Sequence, residues 1–155
     1  GWSIVSGDEA DTLRNIERLK FNDKHIALDL HGNAGKTVKL LGLLLGKDQA
    51  TDPTFVGVGL KLLDDGMTYE QLMSAALDEV LGPEASSLSV VELIWSNLIG
   101  PPTPEDNIGQ YAALIDNETY SASELAIIAA DHSLNTNNVS LVGLSQVGLD
   151  YLPYG

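Results

Sequence analysis

The punctuation of this chain recurs at intervals of 52 to 54 residues, and that recurrence limits its fold more than any other feature. Leu62-Leu63-Asp64 returns as Leu114-Ile115-Asp116, residues 68–72 return as 121–125, and the helix stop Gly46 returns as Gly100. A drift of one residue between such offsets is what loop insertions produce. Each copy runs through a capped helix with a Gly stop, a Pro-started helix ending in an aliphatic pair plus Asp, and a capping-box helix. The pattern predicts a duplicated three-helix unit, with repeats over 34–82 and 87–136.

Local signals set the expected helices. Residues 34–45 carry Val38, Leu41 and Leu45 at helical spacing and stop at Gly46. Asp52-Pro53 predicts an N-cap followed by Pro at the first helical position, for a helix through 63. Thr68 with Gln71 forms a capping box for a helix to about 81. In the second copy, Ser89 with Glu92 opens a helix to 99, Thr103-Pro104 one to 115, and Ser121 with Glu124 one to about 134. A last helix is expected over 137–152. There Gly143 and Gly148 each cost about 1 kcal/mol relative to Ala and are expected to permit close packing.

The first 33 residues read differently. Trp2-Ser3-Ile4-Val5 predicts a strand, 6–9 a turn, and 25–31 a strand with Ile26, Leu28 and Leu30 on one face and His25, Asp29 and His31 on the other. The expected architecture is therefore mainly α: a small N-terminal β unit over 1–33, then a helical bundle over 34–155 made of two repeats and a C-terminal helix. The N-terminus lacks the basic start and long apolar stretch of a signal peptide and reads as a chain cut from something longer.

Charge narrows the partners. The 155 residues hold 22 carboxylates against 8 Lys and Arg, a formal net charge of −14. All eight basic residues fall within 1–61, whereas 62–155 hold fourteen carboxylates and no Lys or Arg. A phosphate-binding surface needs the opposite sign, so nucleic acid is not an expected partner. No apolar run is long enough to span a membrane. Cysteine is absent, which excludes disulfides, thiolate zinc sites and a cysteine nucleophile.

Several motifs invite chemistry. Gly32-Asn33-Ala34-Gly35-Lys36-Thr37 follows a strand and opens a helix, but a phosphate-binding loop needs a longer spacer between its glycines, so a plain helix start is expected. Residues 143–148 miss the nucleophile elbow by one residue, and Asp131-His132 has no identifiable nucleophile beside it. Acidic clusters are the better candidates. Asp64 and Asp65 occupy the turn equivalent to Asp116 and Asn117, and Asp8, Glu9 and Asp11 crowd the N-terminal loop. Calcium takes roughly six to eight oxygens from such loops. Tyr69, Trp95, Tyr111 and Tyr120 are candidates for a sugar-stacking platform, because aromatic faces beside carboxylates suit glycans.

The segment over 7–23, with Asp11-Thr12-Leu13-Arg14-Asn15-Ile16-Glu17-Arg18-Leu19-Lys20-Phe21-Asn22-Asp23 and then Ile26-Ala27-Leu28-Asp29, resembles a stretch common in repeats-in-toxin (RTX) proteins. The helical part, through Leu62-Leu63-Asp64-Asp65-Gly66-Met67-Thr68-Tyr69 and Trp95-Ser96-Asn97-Leu98-Ile99-Gly100, resembles the domain of unknown function 4214. The resemblance implies an extracellular or cell-surface bacterial protein exported by type I machinery, with no catalytic residues. The expected function is a non-catalytic accessory module of a large secreted protein, acting in export, surface retention or matrix and glycan attachment. Its partners would be a surface or matrix polysaccharide, or other copies of itself. The alternative is a calcium-bridged module that assembles into a surface layer or filament. No cofactor other than calcium is implied.

Fourteen carboxylates without a compensating cation repel one another more in the folded chain than in the unfolded one. The melting temperature should therefore rise with NaCl, and rise further with millimolar calcium at constant ionic strength if an acidic turn binds it selectively. Equal shifts by calcium and magnesium in a thermal melt would show the acidic face to be merely solvated.

Overall fold

A helix that is apolar nearly all round has to lie inside its neighbours, and α1 (Asn33–Leu45) does so, with nine of its thirteen residues buried. The computed structural model describes residues 2–6, 9–13, 18–20 and 25–153. Around α1 pack α2 (Pro53–Asp64), α3 (Tyr69–Leu81), α4 (Ser87–Leu98), α6 (Ala122–Asp131) and α7 (Ser133–Asn138). Outside these lie α5 (Gly109–Asp116), against α4, and α8 (Leu141–Val147), against α7. Two small antiparallel sheets complete the described residues. One is the hairpin of β1 (Trp2–Ser6) and β2 (Glu9–Leu13); the other has the order β3 (Arg18–Lys20), β4 (His25–Ala27), β5 (Leu149–Tyr151). The protein is thus mainly helical, a bundle preceded by a small β unit, as the sequence pattern predicts.

The repeat is visible in the packing. α1 lies on α2 as α4 lies on α5, and the copies join through equivalent helices, α1 with α4 and α3 with α6. Equivalent residues meet at those joins: Asn97 Nδ2 donates to the Leu43 carbonyl at 2.6 Å, and Ser123 Oγ to Glu70 Oε1 at 3.5 Å. The turn after the second helix of each copy is closed by the same bonds. Asp65 N donates to Lys61 O (3.0 Å) as Asn117 N does to Ala113 O (2.9 Å), and Gly66 N to Leu63 O (3.1 Å) as Glu118 N does to Ile115 O (3.1 Å). This turn forces its last residue left-handed, φ 108° at Gly66 and φ 63° at Glu118. Both capping boxes also form, Thr68 with Gln71 and Ser121 with Glu124.

One core serves all of it. Leu43, Leu60, Met73, Val38 and Val56 from the helices and Leu149 from the sheet are all fully buried, within a cluster that also holds Ala27 and Tyr151. Side chains shrink wherever backbones must approach. A Cβ on Gly35 would lie 1.9 Å from the Leu30 carbonyl oxygen, and one on Gly42 2.2 Å from Val139 Cγ1. The segment 32–37 is accordingly a helix start pressed against the end of the β unit.

Several expectations are corrected. The helix expected from Ser89 begins a turn earlier, because Ser86 Oγ accepts the Ser89 N–H at 3.1 Å and takes the cap. The helix expected over 103–115 is split: Asp106 accepts from Thr103 N (2.7 Å), a single 3-10 turn forms at Pro104–Asp106, and left-handed Asn107 turns the chain before α5. The helix from Ser121 stops at Asp131, where extended His132 uses Nδ1 to accept the Leu134 N–H (3.1 Å) and start α7. Asn135 then holds α7 in place by donating to the carbonyls of Lys39 (2.9 Å) and Ala130 (2.8 Å).

The long last helix does not exist. Ser140 is left-handed and separates α7 from α8, Gly148 ends α8 at φ 85°, and residues 149–151 are a strand on the open edge of β4. Gly148 does sit in close contact, with a Cβ there only 2.5 Å from Ile26 Cγ2, but Gly143 faces open space. The strand expected over 25–31 stops at Ala27. Leu28 and Asp29 then turn the chain, with Leu30 N bonded to Leu28 O and Gly32 N to Asp29 O.

Two glycine substitutions should move stability in opposite directions. A Cβ on Gly57 would lie 1.7 Å from the Leu152 carbonyl oxygen, so Gly57→Ala should push β5 away and cost about 3 kcal/mol or more. Gly143→Ala meets nothing closer than Ser140 Cβ at 4.0 Å and should add about 0.5–1 kcal/mol. Urea titrations of both variants check the pair; equal effects would contradict the packing described.

Candidate functional site

The acidic candidates of the two repeat turns are each engaged locally. Asp64 accepts from Arg18 Nη2 (2.9 Å) and Asn33 Nδ2 (2.8 Å), and Asp65 from Lys61 Nζ (2.7 Å). In the second copy Asp116 accepts from Ser87 Oγ (2.6 Å), while Asn117 Oδ1 accepts from Thr119 N (3.0 Å). Glu9 and Asp11 lie on β2, and Asp8 is outside the described residues. Arg18 also pairs with half-buried Asp29, whose other oxygen accepts the Ala34 N–H at 3.1 Å. Asp29 is thus a fastener between sheet and helix, whereas the sequence sets it on a solvent face with His25 and His31. His25 itself stacks on Tyr151, ring centroids 5.5 Å apart. Among the described residues no three His, Asp or Glu side chains are gathered as a metal site would need.

The aromatic candidates separate. Trp95 on α4 and Tyr111 on α5 come together, centroids 5.7 Å apart and planes at 36°. Tyr69, at the start of α3, is instead held against α1, with the ammonium groups of Lys36 and Lys39 each 5.9 Å from its ring centroid. Tyr120 is half-buried in the turn before α6.

Trp95 and Tyr111 are part of something larger. Between α4, α5 and α6 runs an apolar groove of about 310 Å³, and between α1, α2 and α3 runs another of about 480 Å³. The grooves share much of their lining by position, although Phe55, Val58, Leu62 and Val80 in one and Leu134 in the other have no counterpart. On the first helix of each copy, Leu40, Leu41, Leu44 and Leu45 correspond to Ile94, Trp95, Leu98 and Ile99, an offset of 54. On the third helix, Leu72, Ala75, Ala76 and Glu79 correspond to Leu125, Ile128, Ala129 and His132, an offset of 53. On the second, Gly59 corresponds to Tyr111, an offset of 52.

The corresponding positions thus shape a similar surface in both halves of the bundle. Six of the ten exposed large apolar side chains among the described residues lie there, Leu45, Phe55 (42% exposed) and Val80 in one groove and Ile99 (59% exposed), Ile128 and Leu134 in the other, while Leu88, Val142, Val147 and Leu152 are exposed elsewhere. Such clustering marks binding surfaces, since apolar residues scattered singly are ordinary. Sequence reasoning missed both grooves. The signal was present in the apolar pairs Leu44-Leu45 and Leu98-Ile99, each with one member more than a buried helix face uses.

Chemically, each groove offers mainly apolar contact with an ionisable side chain at the same place, Glu79 in the first and His132 in the second, beside Thr37 in the first and Trp95 and Tyr111 in the second. The His132 Nδ1 accepts the Leu134 N–H and so caps α7 from the rim of the second groove. Compared with family models, curated proteins and solved structures, the chain matches none of them.

Tyr69 allows a clean test of the interior. Its hydroxyl is buried with no hydrogen-bond partner, and burial together with the nearby Asp131 carboxylate pushes it above the usual phenol range. Above about pH 10 an unfolded phenol loses its proton while the buried one keeps it, so this residue lowers stability as pH rises. Tyr69→Phe should leave stability at pH 7 unchanged or raise it by about 1 kcal/mol, and should flatten the alkaline decline. Thermal melts from pH 7 to 11 that decline alike in both proteins would refute this.

Proposed function

We propose that this protein is a non-catalytic docking module, an accessory part of a large secreted RTX-like bacterial protein, acting in export or surface retention. The observation that carries the reading is the pair of equivalent apolar grooves. A core needs only buried residues, yet each copy keeps large side chains open to solvent beside its groove, Leu45 and Ile99 at equivalent positions. Exposing them costs solvation free energy and invites aggregation unless something covers them, and the high net charge keeps the molecule apart from its own copies meanwhile. The charge partition supports an extracellular setting, where salt and calcium screen a carboxylate-rich surface. No helix among the described residues is long and apolar enough to cross a membrane.

The test is a fusion of this chain to a passive reporter, co-expressed with a type I exporter. The wild-type fusion should leave the cell and remain bound to the surface. Ile99→Glu with Ile128→Glu, or Phe55→Glu with Val80→Glu, should release it into the medium without lowering the melting temperature. A reporter left wholly in the cytoplasm would remove the export role, and retention unaltered by all four substitutions would remove the docking role.

A further inference from the structure

We propose that each groove docks one amphipathic helix with basic flanks, so that one chain holds two such segments. The inference rests on the docking reading and names its occupant. The first argument is shape. The α4 wall runs from Val91 to Ile99 with Ile94, Trp95 and Leu98 between, rows three and four residues apart along about 12 Å of helix. A partner helix laying down side chains at i, i+3 or i+4, and i+7 matches that length and spacing.

Charge is the second argument. The α4–α6 groove is built from residues 91–134, wholly inside the stretch that has carboxylates and no Lys or Arg, and the α1–α3 groove has Glu79 as its one charged lining residue. An approaching segment meets a net charge of −14, which favours Lys and Arg flanks. The same charge opposes a second copy of this chain and repels an anionic lipid surface.

Duplication is the third. The lining is repeated while its details change, with Glu79 against His132 and Gly59 against Tyr111. The two grooves should therefore take the same kind of segment with different affinities, and two tethered segments would bind more tightly than either alone.

The probe is a synthetic peptide of about five helical turns with Leu on one face and Lys on its flanks. Two controls share its composition class, one with the Leu positions scrambled and one with Glu replacing Lys. Titration calorimetry should give two Lys-peptides per chain, with affinity falling about tenfold between low and high salt. Ile128→Glu should remove one site and Val80→Glu the other, each variant keeping its circular dichroism melt. The inference is overturned if the Lys-peptide does not bind, if the Glu-peptide binds as well, if the scrambled peptide binds equally, or if neither substitution lowers the stoichiometry. It is also overturned if sedimentation equilibrium shows a dimer of this chain that Val80→Glu or Ile128→Glu dissolves, since a second copy would then fill the groove. Should the reporter fusion depend on the grooves while the Lys-peptide fails to bind, the docking reading stands and the occupant is wrong.

Discussion

Everything in this molecule hangs on how closely other backbones can approach α1. Its neighbours reach it because the contact points are stripped of bulk: Gly35 beneath the Leu30 carbonyl, Gly42 against Val139, and Thr37 across from Gly59. Interiors packed to crystal-like density leave no slack for a misplaced methyl group. Moving α1 by even an ångström would displace the end of the β unit, α7 and α2 together. The three-helix unit persists in its second copy because α4 occupies the matching place, apolar on the faces that meet α1, α5 and α6.

Electrostatics divides the labour unevenly. The ion pairs among the described residues draw on the basic part of the chain, and two of them reach far. Arg18 ties the sheet to the end of α2 through Asp64, and Lys39 Nζ meets Asp131 of the second copy at 2.6 Å. Exposed pairs of this kind contribute little free energy, about 0–1 kcal/mol each. Their greater effect is to join distant parts of the fold, while residues 62–155 supply no cation of their own.

What could be read from the sequence was what three neighbouring residues decide among themselves. Asp52 before Pro53, Thr68 with Gln71, and Ser121 with Glu124 start helices because a side chain satisfies amides within one turn, and no distant partner is needed. The repeat was legible for the same reason. What escaped was decided at long range. Residues 149–151 are a strand only because β4 has a free edge, and α6 breaks where it does because Asn135 finds a carbonyl on α1, 96 residues away. The grooves escaped differently, since periodicity tells which face of a helix is apolar and not whether a neighbour covers it. Of the candidate aromatics, only Trp95 and Tyr111 were brought to one another, by the packing of α4 on α5.

The three-stranded sheet also has a mechanical character. β3 and β5 flank β4 and so run the same way, with Arg18, Ala27 and Leu149 at one end of the ladder and Lys20, His25 and Tyr151 at the other. The chain enters β3 at the first end and leaves β5 at the second. Tension applied along the polypeptide therefore slides the strands past one another, loading all the cross-strand bonds at once instead of peeling them in turn. Both ends of the ladder are reinforced, the entrance by the Arg18 pairs and the exit by His25 stacked on Tyr151. A bundle tethered in this way would bear a pull first at this small sheet, with α2 sharing the load through the Arg18–Asp64 pair and the Leu152 N–H on the Pro53 carbonyl.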